Sequence, residues 1–238
     1  MRFSLVISWA VMTPRFLLSI LLAALLAPSV AAAGEIQGRV VLNSAPPAAN
    51  KIAVTIDQYV CGNEKDAGDL VVTEAREIRN VVVWLESAPP GVPAAAPTPT
   101  AQMDQKECVF APRVVLVPAS GTVEFLNSDR LLHNLHSAPK NNPPFNRTQP
   151  RGRTIPITFA KPEIIRVDCD LHSWMRGWVV VADHPFYALS DDKGRFRLAN
   201  VPPGSHTLHF WHERLGRSSQ TITVADGATP VTIELGLK

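Results

Sequence analysis

The chain has 238 residues, 46% hydrophobic and 18% charged, with 23 basic against 21 acidic side chains. Such a composition excludes a disordered chain, and the near-zero balance gives no overall attraction for nucleic acid or an anionic membrane. The 21 Pro and 13 Gly favour short strands and turns over long helices.

Met1 to Ala33 reads as an export signal. Arg2 and Arg15 are its only charges, Phe16 to Pro28 is apolar, and Ala31-Ala32-Ala33 supplies the small residues of a cleavage site before Gly34. The apolar run is shorter than the roughly 20 residues of a membrane span. A periplasmic or otherwise exported location is therefore expected, with no stable span after cleavage; an uncleaved anchor is the alternative. Cleavage leaves a mature chain with a formal balance of zero. The three cysteines are Cys61, Cys108 and Cys169. An odd count in an exported chain needs an account of the leftover thiol. The economical one is a Cys61–Cys108 disulfide with Cys169 kept free by a metal; three reduced, buried thiols are the alternative.

In chain order, Glu35 to Leu42 and Lys51 to Asp57 read as strands, and Asn80 to Glu86 as a strand buried on both faces. Ser87 to Met103 is a Pro/Ala tract without periodicity, expected to be a linker. Cys108 to Val117 and Thr122 to Leu126 form a hairpin-like pair. Ala138 to Arg153 is polar and Pro-rich, a loop carrying Lys140, Arg147, Arg151 and Arg153 and no acidic residue. Thr154 to Phe159 and Glu163 to Cys169 are strands. In the second, Ile165, Val167 and Cys169 share the core face, while Ile164, Arg166 and Asp168 share the other. Gly177 to Ala182 is a buried strand, and five more follow to Leu235. No stretch shows a helical period, so the chain is expected to be all-β, a Greek-key sandwich.

The chemistry centres on Cys169, His172 and Met175, at the spacing C-x2-H-x2-M. A thiolate, an imidazole and a thioether thus fall in one short loop, and further imidazoles lie upstream at His133 and His136. Two His, one Cys and a weak axial Met form the ligand set of blue-copper electron-transfer centres. Zinc sites use more Cys or His and no thioether. A binuclear copper loop needs two cysteines, and no C-x-x-C-H for haem is present.

The loop resembles the shortest ligand loop of the cupredoxins, that of amicyanin, and Leu132-His133-Asn134-Leu135-His136 is similar to the segment that supplies the first His there. The resemblance implies that one copper is bound by His133, Cys169, His172 and Met175, with His136 left out. It implies that Asn134 ties the two ligand segments together and that His172 is an exposed electron port. The basic loop would then steer an acidic redox partner, a c-type cytochrome or a copper oxidoreductase. Trp174, inside the loop, would screen the metal from water. The other tryptophans read as core, and Glu213 is placed to bond His212.

The resemblance covers roughly Cys108 to Asp183. The flanks, Gly34 to Val40 and Ser190 to Gly204, resemble a carboxypeptidase regulatory-like, transthyretin-like sandwich. The expected organisation is residues 1–33 signal, 34–86 plus 184–238 a second, smaller β-sandwich, 87–103 linker and 104–183 copper domain. The expected function is single-electron transfer between redox partners, without enzyme activity. A copper-carrying or copper-sensing protein, and an adhesion module with a vestigial site, are the alternatives.

Overall fold

The computed structural model describes residues 34–89, 92–95 and 100–237. The expected signal segment lies outside them, as do residues 90, 91 and 96–99 of the Pro/Ala tract. Among the described residues no helix is long and apolar enough to cross a membrane.

The protein is all-β. The first elements are β1 (Gly34–Leu42), β2 (Lys51–Ala53), the four-residue helix α1 (Gln58–Cys61), β3 (Glu64–Asp66) and β4 (Val82–Leu85). Then come β5 (Ala101–Lys106), β6 (Val109–Ala111), β7 (Val114–Pro118), β8 (Gly121–Asn127), β9 (His133–Ser137) and β10 (Phe145–Gln149). They are followed by β11 (Ile155–Phe159), β12 (Glu163–Asp168), β13 (Arg176–Ala182) and β14 (Tyr187–Leu189). The chain ends with β15 (Arg195–Val201), β16 (Gly204–His212), β17 (Gly216–Val224) and β18 (Ala228–Leu235).

Four sheets stack as two sandwiches. The first pairs a five-stranded sheet, β10-β9-β12-β13-β7, with a four-stranded one, β11-β8-β5-β6. Between them lies a core that includes Met103, Phe125, Leu135, Phe159, Ile165 and Val179. The second pairs β14-β4-β16-β17 with β15-β1-β18. Its core includes Ile36, Val83, Phe196, Leu208, Phe210 and Ile233. Both ends of the chain meet there, because β1 runs antiparallel to β15 and parallel to β18. The outer faces of the two sandwiches bury each other. Val114 and Val180 from one and Val82 and Trp211 from the other form a third apolar cluster. That contact explains why β4 and β13 carry nearly unbroken apolar runs: each is covered on both faces. Arg113 spans the same interface. Its guanidinium donates to both Glu213 carboxylate oxygens, at 2.5 and 2.9 Å, and to the Ala67 carbonyl at 2.8 Å. Glu213 therefore serves Arg113 and not His212, since the two sandwiches bring it against a guanidinium from 100 residues away.

Several local expectations are corrected. The Pro/Ala tract ends before Met103: Ala101 to Met103 lies in β5, beside β8, and Met103 is fully buried. Asp104 and Lys106 pair with Ala111 and Val109 around a two-residue Glu107–Cys108 turn, so the strand expected from Cys108 is a hairpin followed by β7. Both turn residues have positive φ, 55° and 57°. Such turns favour Asn-Gly, and Glu-Cys gives no such signal. The polar loop from Ala138 to Arg153 contains β10, an edge strand on β9. Asn146, Arg147 and Thr148 are exposed, so only Phe145 and Gln149, at its two ends, mark the inner face. Lys51 to Asp57 is a strand only as far as Ala53, and β2 pairs with β3 alone, in a ribbon outside the four large sheets.

Candidate metal centre

His133 opens β9, where residues alternate between two faces. Leu135 belongs to the core, so His133 points inward, while Asn134 and His136 point out. Cys169 follows β12 on the face of Ile165 and Val167, all three at most 1% exposed. The ligand loop is closed by its own backbone: Met175 N–H donates to the His172 carbonyl at 2.8 Å, and Cys169 N–H to the Met175 carbonyl at 3.3 Å.

Three donors converge. His133 Nδ1 and His172 Nδ1 lie 3.0 Å apart, and Cys169 Sγ stands 3.9 and 3.6 Å from them. All three residues are buried. Each imidazole turns its other nitrogen to a carboxylate. His133 Nε2 donates to Asp129 Oδ2 at 2.9 Å, and His172 Nε2 to Asp57 Oδ2 at 3.0 Å. With the proton on Nε2 in both rings, both Nδ1 lone pairs face inward beside the sulfur. Three lone-pair donors aimed at one another repel unless a cation or proton sits among them. Metal bonds of about 2.0 Å to nitrogen and 2.3 Å to sulfur suit a triangle of this size. The carboxylate-backed imidazole is a recurrent way to fix a metal-binding ring. A thiolate with two imidazoles fits copper. Met175 is fully buried in the same core.

The electrostatics favour the charged thiolate. Burial pushes the Cys169 thiol up, but hydrogen bonds from His133, His172 and the Asn134 segment outweigh it and bring the pKa down to about 6. Burial works against the protonated His133, yet Asp129 and Cys169 raise its pKa to about 9. For His172, burial is again overcome, by Cys169 and Asp57, and its pKa is raised.

Asn134 reaches from β9 to the ligand loop. Its Oδ1 accepts from Asp170 N–H at 2.7 Å, and its Nδ2 donates to Asp170 Oδ2 and Asn146 Oδ1, each at 2.9 Å. His136 stands on the outer face and bonds Asp170 Oδ1 at 2.7 Å, away from the three donors. Trp174 is 9% exposed; its ring centre is 5.2 Å from that of His172, and its indole N–H donates to the Cys108 carbonyl at 3.0 Å.

His172 is not an exposed port. Its side chain is fully buried, because the ribbon carrying Asp57 covers its Nε2 edge. The site expected from the sequence includes neither Asp57 nor Asp129. Asp57 is 115 residues from its partner, so no local spacing announces it. Asp129 lies four residues before His133, a short-range signal that was available. Its carboxylate also accepts the N–H groups of Glu107 at 2.7 Å and Cys108 at 2.8 Å. Two successive residues of positive φ turn both donors to one side, a small anion-binding nest. Cys61 and Cys108 form a disulfide, with Cα atoms 5.5 Å apart, and Cys169 is free.

No protein-family model and no curated protein matches the chain. Among solved structures it is similar to a copper-containing nitrite reductase from Thermus scotoductus SA-01, at 26% identity and TM-score 0.34, over 41% of this chain and 25% of that one. The chain thus spans about a quarter of that enzyme's length. It is also similar to a purple cupredoxin from Nitrosopumilus maritimus, at 23% identity and TM-score 0.31, over 34% of this chain and 99% of that one. A third similar structure is a reduced Cu(I) form of an amicyanin variant, at 20% identity and TM-score 0.33, over 42% of this chain and 97% of that one.

Proposed function

We propose that this is an exported, non-enzymatic protein that holds one copper ion on His133, Cys169, His172 and Met175 and passes single electrons between redox partners. The observation that carries the reading is the convergence of two carboxylate-backed imidazoles on one buried, low-pKa thiol. Copper on such a ligand set supplies a one-electron couple.

The rest falls to the chain. Cys169 is ready as a thiolate, so the proton that metal binding releases near neutral pH comes from the imidazoles, chiefly His133, whose pKa is raised to about 9. Asp129 and Asp57 fix the ring orientations, and Asn134 locks β9 to the ligand loop. Three of the four proposed ligands sit on or beside paired strands of one sheet, and little rearrangement is open to them. Trp174 and the Asp57 ribbon keep water out. The exposed cations Lys140, Arg147, Arg151 and Arg153 offer an electrostatic guide for an acidic partner, such as a c-type cytochrome or a copper oxidoreductase.

The test is a visible spectrum of residues 34–238 after one equivalent of Cu(II). An intense thiolate-to-copper band, absent in Cys169→Ser and bleached reversibly by a mild reductant, is expected. A protein that stays colourless overturns the reading, and a band that reductant and oxidant cannot cycle points to a copper carrier.

A further inference from the structure

The ribbon of β2 and β3 makes no strand pairing with the four large sheets, yet its tip, the connection between its strands, reaches His172 through Asp57. Val54 and Cys61, at 1% and 2% exposure, enter the core beneath the site, and Val60 packs against it. Tyr59, 82% exposed, faces outward, so the tip has a solvent side and a site side. From the site side Asp57 meets the edge of His172 opposite the donor nitrogen.

Cys108 joins this ribbon to the rest of the site. Its sulfur is bonded to Cys61, its N–H donates to Asp129, and its carbonyl accepts from Trp174. One buried residue thus connects the segment that holds His172, the carboxylate that holds His133, and the ligand loop.

We propose that Asp57 is the positioning residue of His172 and that residues 54–63 form a disulfide-tethered cap whose lifting limits access to the metal centre. Asp57 orients the ring through Nε2 and closes its outer edge. The Cys61–Cys108 bond keeps the tip on the core through small openings, so reagents and metal reach Cys169 only when the tip rises. The metal part of this inference rests on the proposed function; the thiol part does not.

The test compares wild type, Asp57→Gly and Asp57→Asn. Glycine keeps the backbone at the observed φ of 55° without strain and removes the carboxylate. Asparagine keeps an oxygen that accepts from Nε2. In metal-free protein, alkylation of Cys169, the free thiol, is expected to be about 10- to 100-fold faster in Asp57→Gly, the range set by losing one charge-assisted hydrogen bond from a local opening equilibrium. Asp57→Asn, which keeps a neutral hydrogen bond, should lie between Asp57→Gly and wild type, about fivefold above wild type. Extraction of Cu(I) by a soluble chelator should follow the same order. Equal alkylation rates in Asp57→Gly and wild type overturn the cap. A wild type that binds no copper yet shows the alkylation difference keeps the cap and removes the copper reading.

A second measurement uses wild type alone. The His172 Nε2–H bonds to Asp57 across the edge of the cap, so its exchange with solvent reports lifting of the tip. Opening factors matching those from Cys169 alkylation are expected. Alkylation that far outruns exchange means the thiol is reached with the tip in place, and the cap fails.

Discussion

Asp129 and His133 face each other across a 2.9 Å hydrogen bond, and the carboxylate that receives it is also held by two backbone N–H groups from the Glu107–Cys108 turn. The carboxylate is therefore fixed before it fixes the ring. It also has a structural duty, since it satisfies two donors turned to one side by a strained pair of residues.

Asp129→Ala is expected to weaken metal binding by about 10- to 100-fold, the usual cost of losing a carboxylate behind a ligating imidazole. It should also lower stability by about 1–3 kcal/mol, because the part-buried N–H of Glu107 and the buried N–H of Cys108 lose their acceptor. Copper titration against a competing chelator and urea denaturation of the metal-free protein separate the two effects. An unchanged affinity would mean that His133 needs no backing.

Arg113 and Glu213 test whether the two sandwiches stabilise each other. Their side chains are 14% and 7% exposed. Glu213→Ala leaves a mostly buried guanidinium with the Ala67 carbonyl as its remaining partner, and should cost about 3–5 kcal/mol. Replacing both, Arg113→Met with Glu213→Leu, should recover most of that loss. Equilibrium denaturation of the three proteins measures it, and a single-variant loss below about 1 kcal/mol would place the pair with ordinary surface bridges.

His212 supplies a pH dependence away from the metal. Burial pushes its pKa down to about 4, against the pull of Glu213 and with the push of Arg113. The folded protein thus holds the neutral ring, and the unfolded chain takes up a proton near 6.5. Stability from this group is complete above about pH 6.5 and falls as the pH drops toward 4, by up to about 3 kcal/mol. Denaturation of wild type and His212→Gln across this range should show a shallower slope in the variant. Parallel slopes would assign the acid sensitivity elsewhere.

Gly38 pairs with Phe196 on one side and Val231 on the other. A Cβ there would meet the Phe196 ring and stand 2.9 Å from the Val231 carbonyl. Gly38→Ala should lower stability by about 1–3 kcal/mol through overpacking. A shift of the thermal midpoint shared by both sandwiches is expected if they unfold together, whereas two separate transitions would show them to be independent.

Much of the site could be read from short-range pattern. The C-x2-H-x2-M spacing fits one loop, and alternation along β12 and β9 puts Cys169 and His133 on buried faces and His136 on the other. What failed at short range failed for identifiable reasons. β10 is an edge strand whose exposed residues are polar, so it carries no apolar alternation. The turn at Glu107–Cys108 uses residues that rarely take positive φ, and Asp129 supplies the compensation from another strand connection.

The sequence by itself determined the all-β character, the donor types and their order, because alternation, turn residues and loop spacing act over a few residues. Tertiary structure alone decided that His172 is buried, that Asp57 holds it from 115 residues away, and that two sandwiches share a buried interface with Arg113 and Glu213 across it. Those relationships depend on how sheets stack and where a ribbon lands. Stacking brings together groups that have no spacing in common, and only the folded chain sets their distances.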